Sequence, residues 1–411
     1  LFFKVITTED ALEIVRGFGP VEEVTVPVSD ATGLYLSRDI ISTEDLPGFY
    51  RTSVDGYAVK AQDTFGATES MPAFLKIEGE VLMGDVPRIK LSRGKAVRIS
   101  TGGMMPEGAD GVVMLEYCNI LDKNTIEVSR AISPLENVIS PGDDIKRGAT
   151  AFHARRKMRP QDIGLLAGLG IREITVFRRP RVAIISTGDE IVPTETVPGP
   201  GKVRDINRYT LGAFCLEQGA EPVILDLCRD DFQELKMRVE KGLACADSVW
   251  ISGGSSVGTR DMTLKVLESF DHMELLAHGV SISPGKPTII AKVGGRAVFG
   301  LPGHAASAMV IAEVFLKELI QRLLGRDTDK LEFNRSIKAF ISRNIESKSG
   351  RDDFIRVRLE KDDNGKLMAT PVFGKSGLIS TLVDAHGLVR IERNSEGVYQ
   401  GQVVDVMLFN N

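Results

Sequence analysis

The sequence predicts a multidomain protein of mixed α/β and β class, built around a doubly wound α/β domain. Three observations predict it. The chain has 411 residues, more than one compact core accommodates, so two to four domains are expected. From Arg181 onward, buried-strand runs alternate with helical runs, the pattern of a parallel sheet covered on both faces. Before and after that stretch the texture changes to short β-rich runs cut by glycine and proline turns.

Taken in order, the chain opens with an amphipathic helix. Thr7 or Thr8 can cap it, and Ala11, Leu12, Ile14 and Val15 face inward. From about Val24 to Ala154 the reading is mostly β, with strands at Ala73–Ile77, Lys95–Ile99, Gly111–Met114 and Thr125–Val128. Arg159–Gly170 reads as a short helix, with Pro160 in its first turn and Gly170 closing it. Val182-Ala183-Ile184-Ile185-Ser186 is a buried strand, and Arg208–Gln218 a helix stopped by Gly219. Pro222–Leu225 is a strand, Asp230–Leu243 a helix with acids at its start, Ser248–Ser252 a strand and Asp261–Phe270 a helix. His304–Leu324 is a long helix with Val310, Ile311, Val314 and Leu319 at helical spacing. From about Leu331 the chain returns to short strands, as in a small β-barrel.

Composition excludes several classes. With 43% hydrophobic and 26% charged residues, the chain folds throughout. A net charge of −5 lacks the basic surplus of a nucleic-acid binder. The four cysteines (Cys118, Cys215, Cys228 and Cys245) show no C-x-x-C spacing, which argues for reduced thiols rather than a disulfide framework or structural zinc. The nearest approach to a membrane span, Val298 to Leu319, is interrupted by Pro302, His304, Glu313 and Lys317, so no membrane partner is expected. The first residues lack a charged start followed by an apolar core, and a cytoplasmic location is the expectation.

In an open α/β sheet, ligands bind where strands end and helices begin. Four loops lie there. Ser186-Thr187-Gly188-Asp189-Glu190 sends two carboxylates out of a tight turn, suited to a hard cation, although alone it reads equally as a turn with solvated acids. Ile251 to Asp261 is rich in glycine and serine, so its backbone N–H groups and hydroxyls can cradle an oxyanion; it is neither a Walker A loop nor G-x-G-x-x-G. Ser283-Pro284-Gly285-Lys286-Pro287 holds a lysine between prolines, a reading that competes with an ordinary surface turn. Gly300 to Ser307 opens the long helix, with His304 as a packed or capping residue rather than a catalytic one. In the front half, Arg51 to Val59 sets Asp55 in a turn before a strand, and Ile99 to Gly103 leads through Pro106 to Asp110.

Together the V-D-G-Y-A-V, S-T-G-D-E, G-G-x-S-V-G-x-x-D and P-G-K-P strings stand in an order and spacing that resembles the molybdopterin molybdenumtransferase family (MoeA), which includes the E domain of gephyrin. The resemblance runs from the first helix to the C-terminal barrel. It implies four domains: an elongated linking domain from 21–45 and 141–173, a β-rich insertion at 46–140, an α/β molybdopterin-binding domain from 1–20 and 174–327, and a C-terminal β-barrel at 328–411. The α/β domain would resemble molybdopterin adenylyltransferase. It also implies a homodimer whose cleft takes adenylylated molybdopterin and molybdate, uses Mg²⁺, inserts molybdenum and releases AMP.

By motif match, the resemblance places Asp55, Thr101, Glu190, Asp230 and Asp261 in the catalytic set, with Asp55, Glu190 and Asp261 toward the metal. Gly253, Gly254, Ser255 and Ser256 match the loop that holds the pterin end and its phosphate. Lys286, Pro287 and Ser307 match the molybdate region, with Arg356 and Ser376 on its barrel side. The assignment is electrostatically coherent. Carboxylates alone repel a pyrophosphate and a dianion, whereas a bridging Mg²⁺ reverses that sign.

Three departures stand out. His304-Ala305-Ala306 replaces the family's Asn-Pro-Val, Ser283 stands where a cation often precedes P-G-K-P, and Ile206 replaces a small or polar residue. The first two bear on oxyanion affinity. The competing readings are a tungstate-inserting counterpart, a non-catalytic molybdopterin-binding scaffold and the preceding adenylylation step; retention of Asp55, Glu190, Asp230, Asp261 and Lys286 argues against the scaffold, and the added front-half and barrel domains against the adenylylation step.

Overall fold

The computed structural model describes residues 5–253, 259–326 and 336–409. The chain forms two compact units, one from Leu1–Ser37, Arg155–Arg159 and Glu173–Asn411, the other from Arg38–Ala154 and Pro160–Arg172.

Helix α1 (Thr8–Arg16) starts on a reciprocal cap: the Thr7 hydroxyl oxygen accepts the Asp10 N–H at 3.1 Å, and the Asp10 carboxylate accepts the Thr7 N–H at 3.2 Å. Ala11 and Val15 are fully buried, with Leu12 and Ile14 packed beside them, which is the expected inward face.

The inserted unit is a six-stranded sheet. Its strands are β1 (Gly56–Val59), β2 (Ala73–Val81), β3 (Lys95–Ile99), β4 (Gly111–Met114), β5 (Cys118–Asp122) and β6 (Thr125–Val128), in the order β4-β1-β3-β2-β6-β5. Side chains of a strand alternate between faces. Thus Tyr57 and Val59 of β1 enter one core with Leu75 and Ile126, while Ala58 enters another with Val97 and Ile99. Burial on both faces explains why β1 reads as a plain apolar run. Helix α2 (Pro160–Gly168) completes the unit, and the chain leaves it through Gly170 at φ +67°.

In the larger unit the main sheet is made of β7 (Arg181–Thr187), β8 (Glu221–Ile224), β9 (Ser248–Gly253), β10 (Met273–His278), β12 (Ile289–Val293) and β13 (Arg296–Leu301). A short strand, β11 (Ile282–Ser283), leaves this sheet for the barrel. The order is β8-β7-β9-β13-β12-β10. The first four are parallel, and β12 and β10 add an antiparallel edge that the sequence reading did not separate from the parallel core. Helix α3 (Asn207–Gln218) packs on one face with α1, and α4 (Phe232–Cys245) with α5 (Thr259–Glu268) on the other. The chain therefore runs outward from β7 in both directions, and the β7–β9 boundary is the topological switch point, where such sheets open a crevice.

The long helix runs from α6 (Ala305–Ile311) through a π turn at Ala312–Leu316 into α7 (Lys317–Leu323). Hydrophobic spacing predicted the helix but not the wide turn, because the apolar face continues through it. The C-terminal segment closes a five-stranded barrel of β14 (Ser336–Ile341), β15 (Asp352–Lys361), β16 (Leu367–Pro371), β17 (Gly387–Ile391) and β18 (Val403–Leu408). Pairing runs β15-β16-β14-β18-β17 and back to β15, around Ile341, Val357, Val389 and Val406. Strand β11 attaches in parallel to β15.

Candidate active site

At the switch point, β7 ends on Thr187 and β9 on Gly253, and these two residues pair directly. Gly253 is at φ +135°, and a Cβ there would lie 1.8 Å from the Thr187 carbonyl oxygen, so only glycine permits this approach. Thr187 Oγ1 lies 2.9 Å from Asp230 Oδ1, toward which it donates. The Asp230 N–H points at Asp189 Oδ1 at 3.4 Å, and Lys202 Nζ donates to the Asp189 carbonyl at 2.6 Å. The Glu190 carboxylate folds back over Gly188, where a Cβ would stand 2.7 Å from its Oε2. Asp189, Glu190 and Asp230 thus gather at the end of one buried strand.

Asp230 does not begin a helix, as the sequence reading had it. Helix α4 starts at Phe232, and Asp231, in extended conformation, caps it by accepting the Glu234 N–H at 2.9 Å. That leaves the Asp230 side chain free to face β7. Gly254, Ser255 and Ser256 lie outside the described residues. Asp261 falls in the first turn of α5, and its side chain also lies outside them.

The loop after β13 carries the next set. His304 precedes α6 without capping it; its ring Nδ1 is 2.9 Å from Ser376 Oγ on the barrel loop. The Ala306 N–H donates to the Ser376 carbonyl at 3.1 Å. Ser307 is buried in the first turn. Two residues singled out separately, His304 and Ser376, are therefore hydrogen-bonded partners, which sequence spacing could not reveal.

Arg356 is buried. Its Nη1 donates to Thr381 Oγ1 at 2.5 Å and its Nη2 to the Gly374 carbonyl at 2.9 Å, so the guanidinium braces the loop that presents Ser376. Burial lowers its pKa from the usual arginine value. Lys286 is exposed, between a half-buried Pro287 and Gly285, and has no ion-pair partner among the described residues. Gly285 sits at φ +124° with Ile311 Cδ1 2.5 Å from where a Cβ would be, which presses the P-G-K-P turn against α6.

Asp55 and Thr101 belong to the inserted unit. Asp55 Oδ1 accepts the Thr101 N–H at 2.7 Å and the Thr101 hydroxyl at 3.0 Å. These bonds, the backbone one first, hold the carboxyl below the usual aspartate range. The Thr52 N–H to Gly103 carbonyl and Gly102 N–H to Thr52 carbonyl bonds align the two turns.

Among the described residues, no group of three or more His, Cys, Asp or Glu side chains forms a ready-made metal site. The donors at the end of β7 are nonetheless all hard oxygens. Burial pushes the Cys118 and Cys228 thiols up to about 12 and keeps these two protonated.

The larger unit thus carries a doubly wound α/β sheet with acids at its switch point and a closed five-stranded barrel, and the smaller unit a six-stranded sheet. Family models match the chain in three consecutive parts: MoeA N-terminal region (domain I and II) over residues 6–170, a probable molybdopterin binding domain over 183–322, and MoeA C-terminal region (domain IV) over 338–409. A putative molybdopterin biosynthesis protein of Methanocaldococcus jannaschii is 32% identical, over 93% of this chain and 91% of its own. The molybdopterin molybdenumtransferase of Bacillus subtilis is 30% identical, over 93% and 89%. A crystal structure of the molybdopterin biosynthesis MoeA protein of Pyrococcus horikoshii superposes with a TM-score of 0.84 at 36% identity, covering 99% of this chain and 100% of that one. The chain belongs to the MoeA family.

Proposed function

We propose that this chain is a molybdopterin molybdenumtransferase, acting as a cytoplasmic homodimer. It takes adenylylated molybdopterin and molybdate, places molybdenum in the dithiolene, and releases AMP as the phosphoanhydride is cleaved. The observation that carries this reading is the gathering of Thr187, Glu190 and Asp230 at the β7–β9 switch point, in the same unit as the His304–Ser376 contact. No described helix is long and apolar enough to cross a membrane.

Magnesium is the resident cation of the proposal. Mg²⁺ is usually held by one or two carboxylates together with waters and substrate phosphates, so a shared site needs no cluster of three protein ligands. Glu190 would hold it from the end of β7, beside the catalytic candidate Asp230, and Asp55 and Asp261 are the other carboxylates that the family resemblance assigns to the metal. When bound, it neutralises the pyrophosphate and polarises the phosphorus.

The chain's own residues do the positioning. Thr101 fixes the Asp55 carboxylate through two hydrogen bonds. Gly253 and the Gly254-Ser255-Ser256 loop receive the phosphate end. Lys286, Ser307 and Ser376 hold molybdate, while Arg356 acts through the loop it braces. Bringing the anion to the dithiolene is chiefly a gain in effective concentration and orientation.

The test is a single-turnover assay with adenylylated molybdopterin and Mg²⁺, given molybdate or tungstate in parallel. Molybdate-driven AMP release, abolished by Asp55→Ala in a folded protein, is the expected result. A preference for tungstate would transfer the assignment to the tungsten counterpart. Ligand binding without AMP release on either oxyanion would leave a non-catalytic scaffold.

A further inference from the structure

We propose that Asn207 is a positioning residue for this reaction, a clamp that fixes the distance between the end of β9 at Ser252 and the turn at Gly303 that opens α6; the inference rests on the proposed transferase function. Asn207 occupies the first turn of α3, where an asparagine normally caps the helix or turns to water. It does neither. Asp205 takes the capping part, its Oδ1 accepting the Arg208 N–H at 3.1 Å, and the Asn207 side chain is buried at 7% exposure.

The carboxamide spends both N–H bonds on the ligand edge of the sheet. Nδ2 donates to Ser252 Oγ at 2.6 Å and to the Gly303 carbonyl at 2.8 Å. The orientation is unambiguous, because a carbonyl only accepts and the amide nitrogen must face Gly303. Ser252 is the residue before Gly253, and Gly303 the residue before His304. The β9–β13 ladder ends with the pair Ser252 and Leu301, so beyond that point Asn207 carries the connection between the two loop roots. Under the proposed function, Gly253, next to Ser252, serves the pterin phosphate and the turn after Gly303 serves molybdate, so a fixed Ser252–Gly303 separation would hold the two ligand ends at a set distance.

A second feature sets this residue apart from ordinary packing. Among the described residues, Asn207 Oδ1 is buried with no hydrogen-bond partner, as is Ser186 Oγ on the strand position paired with Ser252. An orphaned buried acceptor lowers stability. An asparagine kept there for stability alone would be a poor choice, whereas one kept for its two donors is not.

The experiment uses the full chain with Asn207→Asp, which keeps shape but sets an oxygen against the Gly303 carbonyl, and Ser252→Ala, which removes one of the two bonds. In Asn207→Asp the single-turnover rate of AMP release at saturating molybdate should fall on the order of 100-fold, the scale of an ångström of misplacement. The half-saturating molybdate concentration should stay near that of the parent, while the melting temperature falls because a buried oxygen now faces a carbonyl, so rates are compared per folded molecule. Ser252→Ala should lose less, roughly tenfold, and serves alone should Asn207→Asp not fold. An unchanged rate per folded molecule, or a loss explained wholly by a lower melting temperature, overturns the proposal. Hydrogen exchange on the ligand-free protein decides it separately from turnover. Amides from 303 to 306 should exchange faster in either variant; equal exchange overturns the clamp even in a chain that does turn over, and a parent that never releases AMP fails the functional reading instead.

Discussion

The acids of the β7 edge and the Asp55–Thr101 pair of the inserted unit are held by opposite means. At β7, the backbone is fixed first. Buried parallel strands end side by side, and Gly253 approaches Thr187 so closely that no side chain fits. The Glu190 and Asp230 carboxylates are then carried out on a rigid frame. Asp55 stands exposed in a turn, and its orientation comes from two hydrogen bonds donated by one residue. The difference teaches where each region is vulnerable. The first should fail through its backbone, the second through its side-chain bonds.

The largest effect is therefore expected at Gly253. Gly253→Ala forces a methyl group into the Thr187 carbonyl and demands a φ of +135° from an L-residue, a strain on the order of 3 kcal/mol. The β7 and β9 ends must part, so AMP release should vanish and the melting temperature should fall by several degrees, about the scale set by that free energy. A calorimetric scan beside the single-turnover assay checks both. A stable, active Gly253→Ala protein would break the contrast at its root.

An intermediate effect is expected at Arg356, which shares features of both regions: a buried charge that fixes an exposed loop. Arg356→Ala removes hydrogen bonds from a charged donor to Thr381 and to the Gly374 carbonyl, worth roughly 2 kcal/mol. Because the loop also holds Ser376, the half-saturating molybdate concentration should rise about tenfold, a factor equal to 1.4 kcal/mol. Arg356→Lys should recover little, since an ammonium cannot reproduce the planar fork that reaches both partners. If Arg356→Ala lowers stability but leaves molybdate dependence unchanged, the loop is not part of the anion site.

How much was legible in advance follows the same division. The α/β frame was, because buried strands and amphipathic helices write their periods into the chain. Val182 to Ser186 and Ser248 to Ser252 were read within a residue or two of β7 and β9. The antiparallel edge was missed because no strand was read over β10 and β12, where Glu274, His278 and Lys292 interrupt short apolar stretches. Contacts between side chains distant in sequence were also hidden. Asp55 and Thr101 were both singled out, as were His304 and Ser376, but separations of 46 and 72 residues carry no local signal of a bond. Asn207 was passed over because it stood in a stretch noted only for Ile206. Its one sequence clue is an asparagine at the start of a helix whose cap is already supplied by Asp205.

The smallest effect belongs to Thr101. Its N–H and hydroxyl both stabilise the ionised form of Asp55, so the folded pKa lies below the unfolded one. Such a group stabilises the fold above its unfolded pKa, and that contribution disappears as pH falls through the folded value, which places the change below about pH 4. Thr101→Val removes the hydroxyl but keeps the N–H bond, the stronger of the two and 2.7 Å long. The Asp55 midpoint should therefore move only part of the way back toward an ordinary aspartate, followed by carbon NMR of the carboxylate. Thr101→Ser retains the hydroxyl and should leave the midpoint in place. Because Asp55 is exposed, neither change should alter thermal stability measurably at neutral pH. If the Thr101→Val midpoint does not move, the hydroxyl contributes nothing to the carboxylate's charge state, and the backbone N–H alone holds Asp55. The inserted unit would then be built like the β7 edge after all, by its backbone.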